Sequence, residues 1–226
     1  MFNQFNQEIG NPVPEWTPRI LPGIKELIGN FCVLQPLNIE EHGLDLFSAF
    51  KSSDNDIYTY VPFGPFDDYA LFISWLSGNI LNKVFYAIID HKTKKSQGIA
   101  GYWSYDLANG VIEVGSILYS KALQNTPAGT EAMYLMAREI FNLGYRRYEW
   151  KCNALNMGSR NAAIRLGFSF EGIFRQHSVI KGYNRDTAWF SILDHEWPSI
   201  KTRLEKWLSL MNFDSNGRQI VSLKDI

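Results

Sequence analysis

The sequence predicts an α/β domain built on a mixed, mostly antiparallel sheet. Three observations carry this. Strand-like runs at 84–89, 98–105 and 111–119 follow one another with only short turns between them, as in an antiparallel meander. A helical pattern starting near Thr126 then separates the 111–119 run from another at 147–153, and a strand–helix–strand passage of that length makes a parallel crossover. Two further runs, about 169–180 and 186–193, are again joined by a short turn, Lys181-Gly182-Tyr183-Asn184.

Along the chain, residues 1–30 carry Pro12, Pro14, Pro18 and Pro22 among Asn and Gln and read as an irregular arm packing through Trp16, Ile20 and Leu21. The domain proper is expected over 31–195, with 196–226 a helix and tail packed on it. Residues 31–37 (FCVLQPL) are strand-like, and a short helix runs from about Ile39 to Phe50. The 57–66 segment (IYTYVPFGPF) is an aromatic loop punctuated by Pro62, Gly64 and Pro65. Asp67 or Asp68 caps the next helix, whose apolar face is Phe72, Trp75, Leu76 and Ile80. Lys92, Lys94 and Lys95 mark a solvated hairpin tip, and Asn109-Gly110 marks a second turn. Thr126 is a helix cap with Pro127 at the first helical position; Met133, Met136, Ala137 and Ile140 form the apolar face, and Gly144 stops the helix. Ser159 is read as the cap of a helix reaching Leu166 and closed by Gly167. The last helix presents Ile200, Leu204, Trp207 and Leu208, and the tail past Phe213 is expected to be loose. The arm and last helix either close one monomer's core or cover a homodimer interface.

Composition narrows the function classes. With 46% apolar residues over 226 positions the chain can bury a large core without disulfides or metals. A net charge of −1 with no basic cluster gives no general attraction to nucleic acid or to anionic membranes. No apolar run approaches the roughly 20 residues that span a bilayer, and no basic stretch followed by an apolar one opens the chain, so neither a membrane nor a secretory segment is expected. Cys32 and Cys152 make no disulfide framework and read as reduced thiols in the cytoplasm. The scattered histidines show no metal-ligand spacing, and no metal is expected.

The chemistry is sought where the 111–119 strand leads into the Thr126 helix. A loop opening a helix aims N–H groups and a positive dipole end outward, a ready site for a phosphate. Here that loop is Gln124-Asn125-Thr126-Pro127-Ala128-Gly129-Thr130. It resembles the pyrophosphate loop (Gln/Arg-x-x-Gly-x-Gly/Ala) of the GNAT superfamily of N-acetyltransferases, with Gln124 and Gly129 at the first and last positions. Asn156-Met157-Gly158-Ser159, Leu166-Gly167-Phe168 and Glu171-Gly172 resemble the Asn-x-x-Ser…Leu-Gly-Phe-x-x-Glu-Gly stretch of its ribosomal-protein (RimJ/RimL-type) branch, and Glu113-Val114-Gly115 resembles the Glu-Ile-Gly upstream of it. The resemblance spans about 31–195. Pro127 stands where the family has the loop's central glycine and removes one N–H.

The resemblance implies a GNAT fold, with splayed fourth and fifth strands and acetyl-CoA between them. It implies N–H groups of Asn125, Thr126, Ala128, Gly129 and Thr130 around the pyrophosphate, with Gln124 in the same loop and added bonds from the Thr126 and Thr130 hydroxyls. Backbone groups of Ser116, Ile117 and Leu118 would pair with the pantetheine arm, and Asn156 would meet it from the other side. The implied reaction is acetyl transfer to a primary amine, a protein N-terminus or a small molecule, by direct attack in a ternary complex. Glu113 is the candidate base through water, and Ser159 the candidate proton donor to the thiolate. Arg160 is expected to meet the cofactor phosphates, whereas Arg165 and the Arg146-Arg147 pair read as surface charge. Cys152 reads as an inert buried thiol. Tyr58, Tyr60, Phe63 and Phe66 either fill core against Trp75 or, with it, line the acceptor pocket. Asp186 either holds the last turn or faces the acceptor. The competing reading is a CoA-binding sensor or scaffold without catalysis, which Pro127 favours.

Overall fold

Thr126 and Pro127 set the central helix as the sequence predicts. In the computed structural model, which describes residues 1–80 and 83–226, the Thr126 side chain accepts the Gly129 N–H at 3.1 Å and Pro127 opens helix α3. Proline suits that position because its missing N–H would have no helical acceptor. The elements in chain order are β1 (Leu27–Ile28), β2 (Cys32–Pro36), α1 (Ile39–Lys51), a 3₁₀ turn at Asn55–Tyr58, α2 (Tyr69–Ile80), β3 (Val84–Asp90), β4 (Ser96–Asp106), β5 (Val111–Tyr119), α3 (Pro127–Asn142), β6 (Arg147–Asn153), α4 (Met157–Leu166), β7 (Ser169–Ile180), β8 (Tyr183–Leu193), α5 (Trp197–Trp207) and a 3₁₀ turn at Leu210–Asn212.

The eight strands form one sheet in the order β1-β2-β3-β4-β5-β6-β8-β7. Each neighbouring pair is antiparallel except β5–β6, which is parallel, as expected for strands joined through α3. Alternation along the strands divides the core. Ala100, Tyr102, Ile112 and Val114 pack with Met133, Met136, Ala137 and Ile140 of α3 and with Trp197, Leu204 and Trp207 of α5. Ile99 and Leu118 point the other way, into Leu46 and Phe50 of α1, Phe72 and Leu76 of α2, and Tyr58.

Glu131 locks α3 to the sheet edge. It is buried, and its carboxylate accepts the N–H groups of Asn30 (2.7 Å), Phe31 (2.6 Å) and Cys32 (2.9 Å) in the β1–β2 turn.

Several expectations are corrected. The arm is not wholly irregular: β1 pairs with β2, while Trp16 donates to the Ala108 carbonyl at 2.7 Å. Ile20 and Leu21 are exposed rather than packed. Helix α4 begins at Met157 with Asn156 as its cap, so Ser159 lies inside the first turn. The last hairpin turns on Lys181 and Gly182 alone, both at positive φ, and Tyr183 and Asn184 already belong to β8. The tail is tied down: Asn212 Oδ1 accepts the Val221 N–H, Trp207 Nε1 donates to Gln219, and Leu223 is buried. Asp68, of the two aspartates considered, caps the start of α2 by accepting the Leu71 N–H at 2.8 Å.

Candidate active site

The parallel pairing of β5 with β6 ends early. It runs from Val111↔Arg147 to Val114↔Trp150, after which β5 pairs only with β4 and β6 only with β8. A bulge helps part them: Gly115 to Leu118 of β5 opposes the shorter span Gly101 to Ile99 of β4, with Ser116 at φ +50°. Gly115 is needed at the split, because a Cβ there would lie 2.9 Å from Cβ of Trp103. The edge of Ser116–Leu118 that faces β6 is thus left open, and the gap widens into a cavity of about 850 Å³.

Most of the predicted site residues line that cavity: Glu113, Ser116, Ile117, Leu118, Gln124, Asn125, Thr126, Gly129, Thr130, Asn156 and Ser159, with Tyr60 and Phe63 from the aromatic loop. The phosphate loop folds partly on itself. Gln124 donates to the Tyr119 carbonyl at 3.1 Å, Thr126 takes the Gly129 N–H, and the Thr130 N–H reaches the Thr126 carbonyl. Gly129 and Thr130 are therefore engaged within the loop, which corrects the expectation that their N–H groups are free. Among the described residues the Asn125, Thr126 and Ala128 N–H groups have no acceptor. These three, at the positive end of α3, fit a pyrophosphate. The Ala128 side chain itself is buried away from the cavity.

The two arginines of α4 face the opposite way from the expectation. Arg160 turns away: it donates to the Ala154 carbonyl at 3.1 Å, lies over the Phe170 ring and does not line the cavity. Arg165 lines it, half-buried, and donates to Thr130 Oγ1 at 2.7 Å. A spacing of five residues, about 1.4 helical turns, puts them on different faces of α4, and only the packed sheet decides which faces the loop.

Glu113 is 7% exposed and sits at the foot of the split. Burial raises its pKa; Lys151, whose Nζ is 3.0 Å away, pulls it back down, and Glu149 pushes it up again. Lys151 also contacts Glu149 at 3.0 Å and lies 3.9 Å from the centre of the Trp189 ring. Glu149 in turn holds Arg147, which reaches Glu171. Arg147 is thus part of an ion network, not a solvated charge.

Ser159 Oγ accepts the indole N–H of Trp150 at 3.0 Å, leaving its own hydrogen to donate. Ser159 and Cys152 both line the cavity. Burial raises the pKa of the Cys152 thiol, and Ser159 and the charges of Arg185 and Arg160 oppose the rise. Asn156 Oδ1 is taken by the Ser159 N–H at 3.0 Å.

The aromatic loop divides between both of its readings. Tyr58, Phe66 and Trp75 pack as core, with the Trp75 and Phe63 ring centres 4.3 Å apart and tilted 34°, while Tyr60 and Phe63 face the cavity. Lys181 at the β7–β8 tip donates to the Tyr58 and Phe63 carbonyls, both at 3.0 Å. Asp186 holds its hairpin, accepting from the Gln176 N–H and from Asn184. Sequence reasoning missed Lys151, Arg165 and Lys181 as site residues; each acquires its partner only through tertiary contacts. No group of His, Cys, Asp or Glu side chains among the described residues is arranged to hold a metal, and no described helix is long and apolar enough to cross a membrane.

Comparisons with known proteins agree with this geometry. The family model described as an acetyltransferase (GNAT) domain matches residues 33–169. A crystal structure of a GCN5-related N-acetyltransferase from Brucella melitensis is 45% identical, with 94% of this chain and 98% of that one covered at a TM-score of 0.91. A probable acetyltransferase of the GNAT family from Chromobacterium violaceum ATCC 12472 is 36% identical over 85% of this chain and 98% of its own, at a TM-score of 0.80. RimL, a ribosomal L7/L12 α-N-protein acetyltransferase solved with coenzyme A, shares the fold at a TM-score of 0.63 but only 16% identity, over 75% of this chain and 98% of its own. The curated proteins return no match. A buried glutamate at the foot of a split between parallel strands, a helix N-terminus at its far end and a family model over more than half the sequence lead to one assignment: the chain belongs to the GNAT acetyltransferase family.

Proposed function

We propose that this protein is a cytoplasmic N-acetyltransferase that moves an acetyl group from acetyl-CoA to a primary amine by direct attack. The observation that carries this is the cavity joining the free N–H groups before α3, the open edge of β5 and the buried Glu113. The Asn125, Thr126 and Ala128 N–H groups and the Arg165 guanidinium would hold the donor's pyrophosphate, and Ser116–Leu118 would bond its amide-bearing arm as an added strand. Acetyl-CoA, when bound, supplies a thioester and a thiolate leaving group.

The acceptor amine reaches the site protonated and must lose a proton before attack. Glu113 takes that proton through water, and its raised pKa brings it nearer to neutral pH, where a base works best. Ser159 hands a proton to the departing sulfur; its oxygen already accepts the Trp150 indole N–H, which leaves the hydroxyl hydrogen to donate. No covalent enzyme intermediate is needed, and Cys152, with its pKa raised by burial, stays a thiol.

Thermal unfolding with acetyl-CoA, with CoA and with neither tests the donor half, since a ligand bound only by the folded state raises the midpoint. A saturable rise is expected. No rise at high concentration would mean that the loop with Pro127 does not bind the donor.

A further inference from the structure

Resting on the acetyltransferase reading, the structure points to a particular class of acceptor. Arg185 lies on β8 beyond Thr187, the residue at which β8 stops pairing with β6, so it extends past the end of β6 into the cavity. Its Nε donates to Thr187 Oγ1 at 3.2 Å, which fixes the direction of the guanidinium. The neighbouring carboxylate does not pair with it: Asp186 turns its Oδ1 to the Gln176 N–H at 2.7 Å and to the Asn184 side-chain amide at 3.0 Å. Among the described residues no carboxylate forms an ion pair with Arg185, whereas Lys151 and Arg147 each have two. A half-buried cation facing a cavity without a counterion is costly unless a ligand supplies one. The planar fork of a guanidinium matches a carboxylate.

The place of this cation narrows the ligand. Arg185 precedes Thr187, which pairs with Asn153 at the end of β6, and it lines the cavity with Cys152 and Ser159, so the anion it binds lies close to the reacting centre. Tyr60, Phe63 and Trp103 line the same cavity and offer flat apolar surface. We propose that the acceptor is an amino acid with an aromatic or aliphatic side chain, its carboxylate gripped by Arg185 and its amine turned toward Glu113. The reaction forms a bond between the amine nitrogen and the acetyl carbonyl carbon and breaks the carbon–sulfur bond. Of the two protons the ammonium loses, one leaves through Glu113 to solvent and one is replaced on sulfur by way of Ser159. A protein N-terminus presents a peptide carbonyl where this site offers a cation.

The test is CoA-thiol release from acetyl-CoA with free amino acids, each paired with its C-terminal amide, and with short peptides amidated at the C-terminus. Amidation lowers the basicity of the amine, which favours the amide at neutral pH, so a preference for the acid reports binding. The expected result is a kcat/KM at least tenfold higher for aromatic or aliphatic amino acids than for their amides. Arg185→Met should bring that ratio to one or below, Arg185→Lys should keep part of it, and both should keep the wild-type midpoint shift with acetyl-CoA, which certifies fold and donor site. Equal or better use of amides or amidated peptides would overturn the proposal. So would consumption of no amino acid while acetyl-CoA still raises the midpoint, an outcome that leaves the donor reading standing. Absence of the midpoint shift in the wild type would remove both.

Discussion

Lys151 Nζ stands 3.0 Å from Glu113 Oε2, across the point where two parallel strands part. The same ammonium is 3.0 Å from Glu149, which opposes Glu113 in register, so one cation serves two carboxylates that would otherwise repel. Burial and Glu149 push the Glu113 pKa up, and Lys151 limits the rise. In the proposed reaction this pair would set the pH at which Glu113 becomes available as a base.

Glu113→Gln should therefore lower acetyl transfer on the order of a hundredfold or more, the usual contribution of a positioned base. Wild-type activity should rise with pH as Glu113 deprotonates, and the variant should lose that limb. Lys151→Met removes the charge that favours the carboxylate, so its limb should move to higher pH. Stability follows the opposite direction. A carboxyl with a raised folded-state pKa adds stability that is full below its unfolded pKa and is lost as pH rises through the folded value. The Gln variant should thus gain on the wild type between about pH 4 and neutrality. pH–rate profiles and unfolding midpoints at both ends of that range check this; superimposable profiles would remove Glu113 as the base.

Arg165 and Arg160 should separate in donor binding. Arg165 meets Thr130 in the phosphate loop, and Arg160 is tied to the Ala154 carbonyl outside the cavity. Arg165→Met should weaken acetyl-CoA about tenfold, equivalent to ~1.4 kcal/mol for one charge-assisted contact. Arg160→Met should leave affinity alone. Titration calorimetry with both variants decides, and the reverse order would return Arg160 to the role its sequence position suggests.

What the sequence discloses here follows the range of the interactions. Thr126, Pro127 and Gly167 act within a turn of chain, so their roles as cap, helix opener and helix stop can be read locally. The parallel crossover also shows, because strand and helix periodicities differ. Asn156 and Ser159 are both good caps three residues apart, and choosing between them takes the geometry of the chain leaving β6. Lys151 looks like any alternating strand residue until β5 supplies Glu113 beside it. Sequence leaves Asp186 between holding the last turn and facing the acceptor, and only the folded hairpin brings the Gln176 N–H and Asn184 to its Oδ1.

Lys181 joins the β7–β8 tip to the aromatic loop, and its variant should act on the acceptor side alone. Its two bonds end on the Tyr58 and Phe63 carbonyls, and Tyr60 and Phe63 line the cavity. Lys181→Met frees that loop without touching α3 or β5. KM for the amine should rise several-fold while KM for acetyl-CoA and the unfolding midpoint change little, because the residue is largely exposed. A parallel change in both KM values would show that the tip supports the whole site.

Glu131 is the stability prediction. Its carboxylate accepts three backbone N–H groups of the β1–β2 turn and is shielded from water. A glutamine in its place would keep the shape but supply one acceptor oxygen and turn an amide NH₂ toward N–H donors, leaving buried donors facing each other. With charge-assisted bonds of roughly 1.5–3 kcal/mol each, Glu131→Gln should cost about 3–5 kcal/mol and lower the midpoint by roughly 10 °C. Gly29→Ala should injure the same joint from the other side, since a Cβ there would overlap the Glu131 carboxyl group. Because this joint places α3, and α3 places the free N–H groups of Thr126 and Ala128, the folded fraction of either variant should also bind acetyl-CoA more weakly than the wild type. A loss below about 1 kcal/mol in Glu131→Gln would mean that the turn finds other acceptors, and that α3 is held by its apolar face alone.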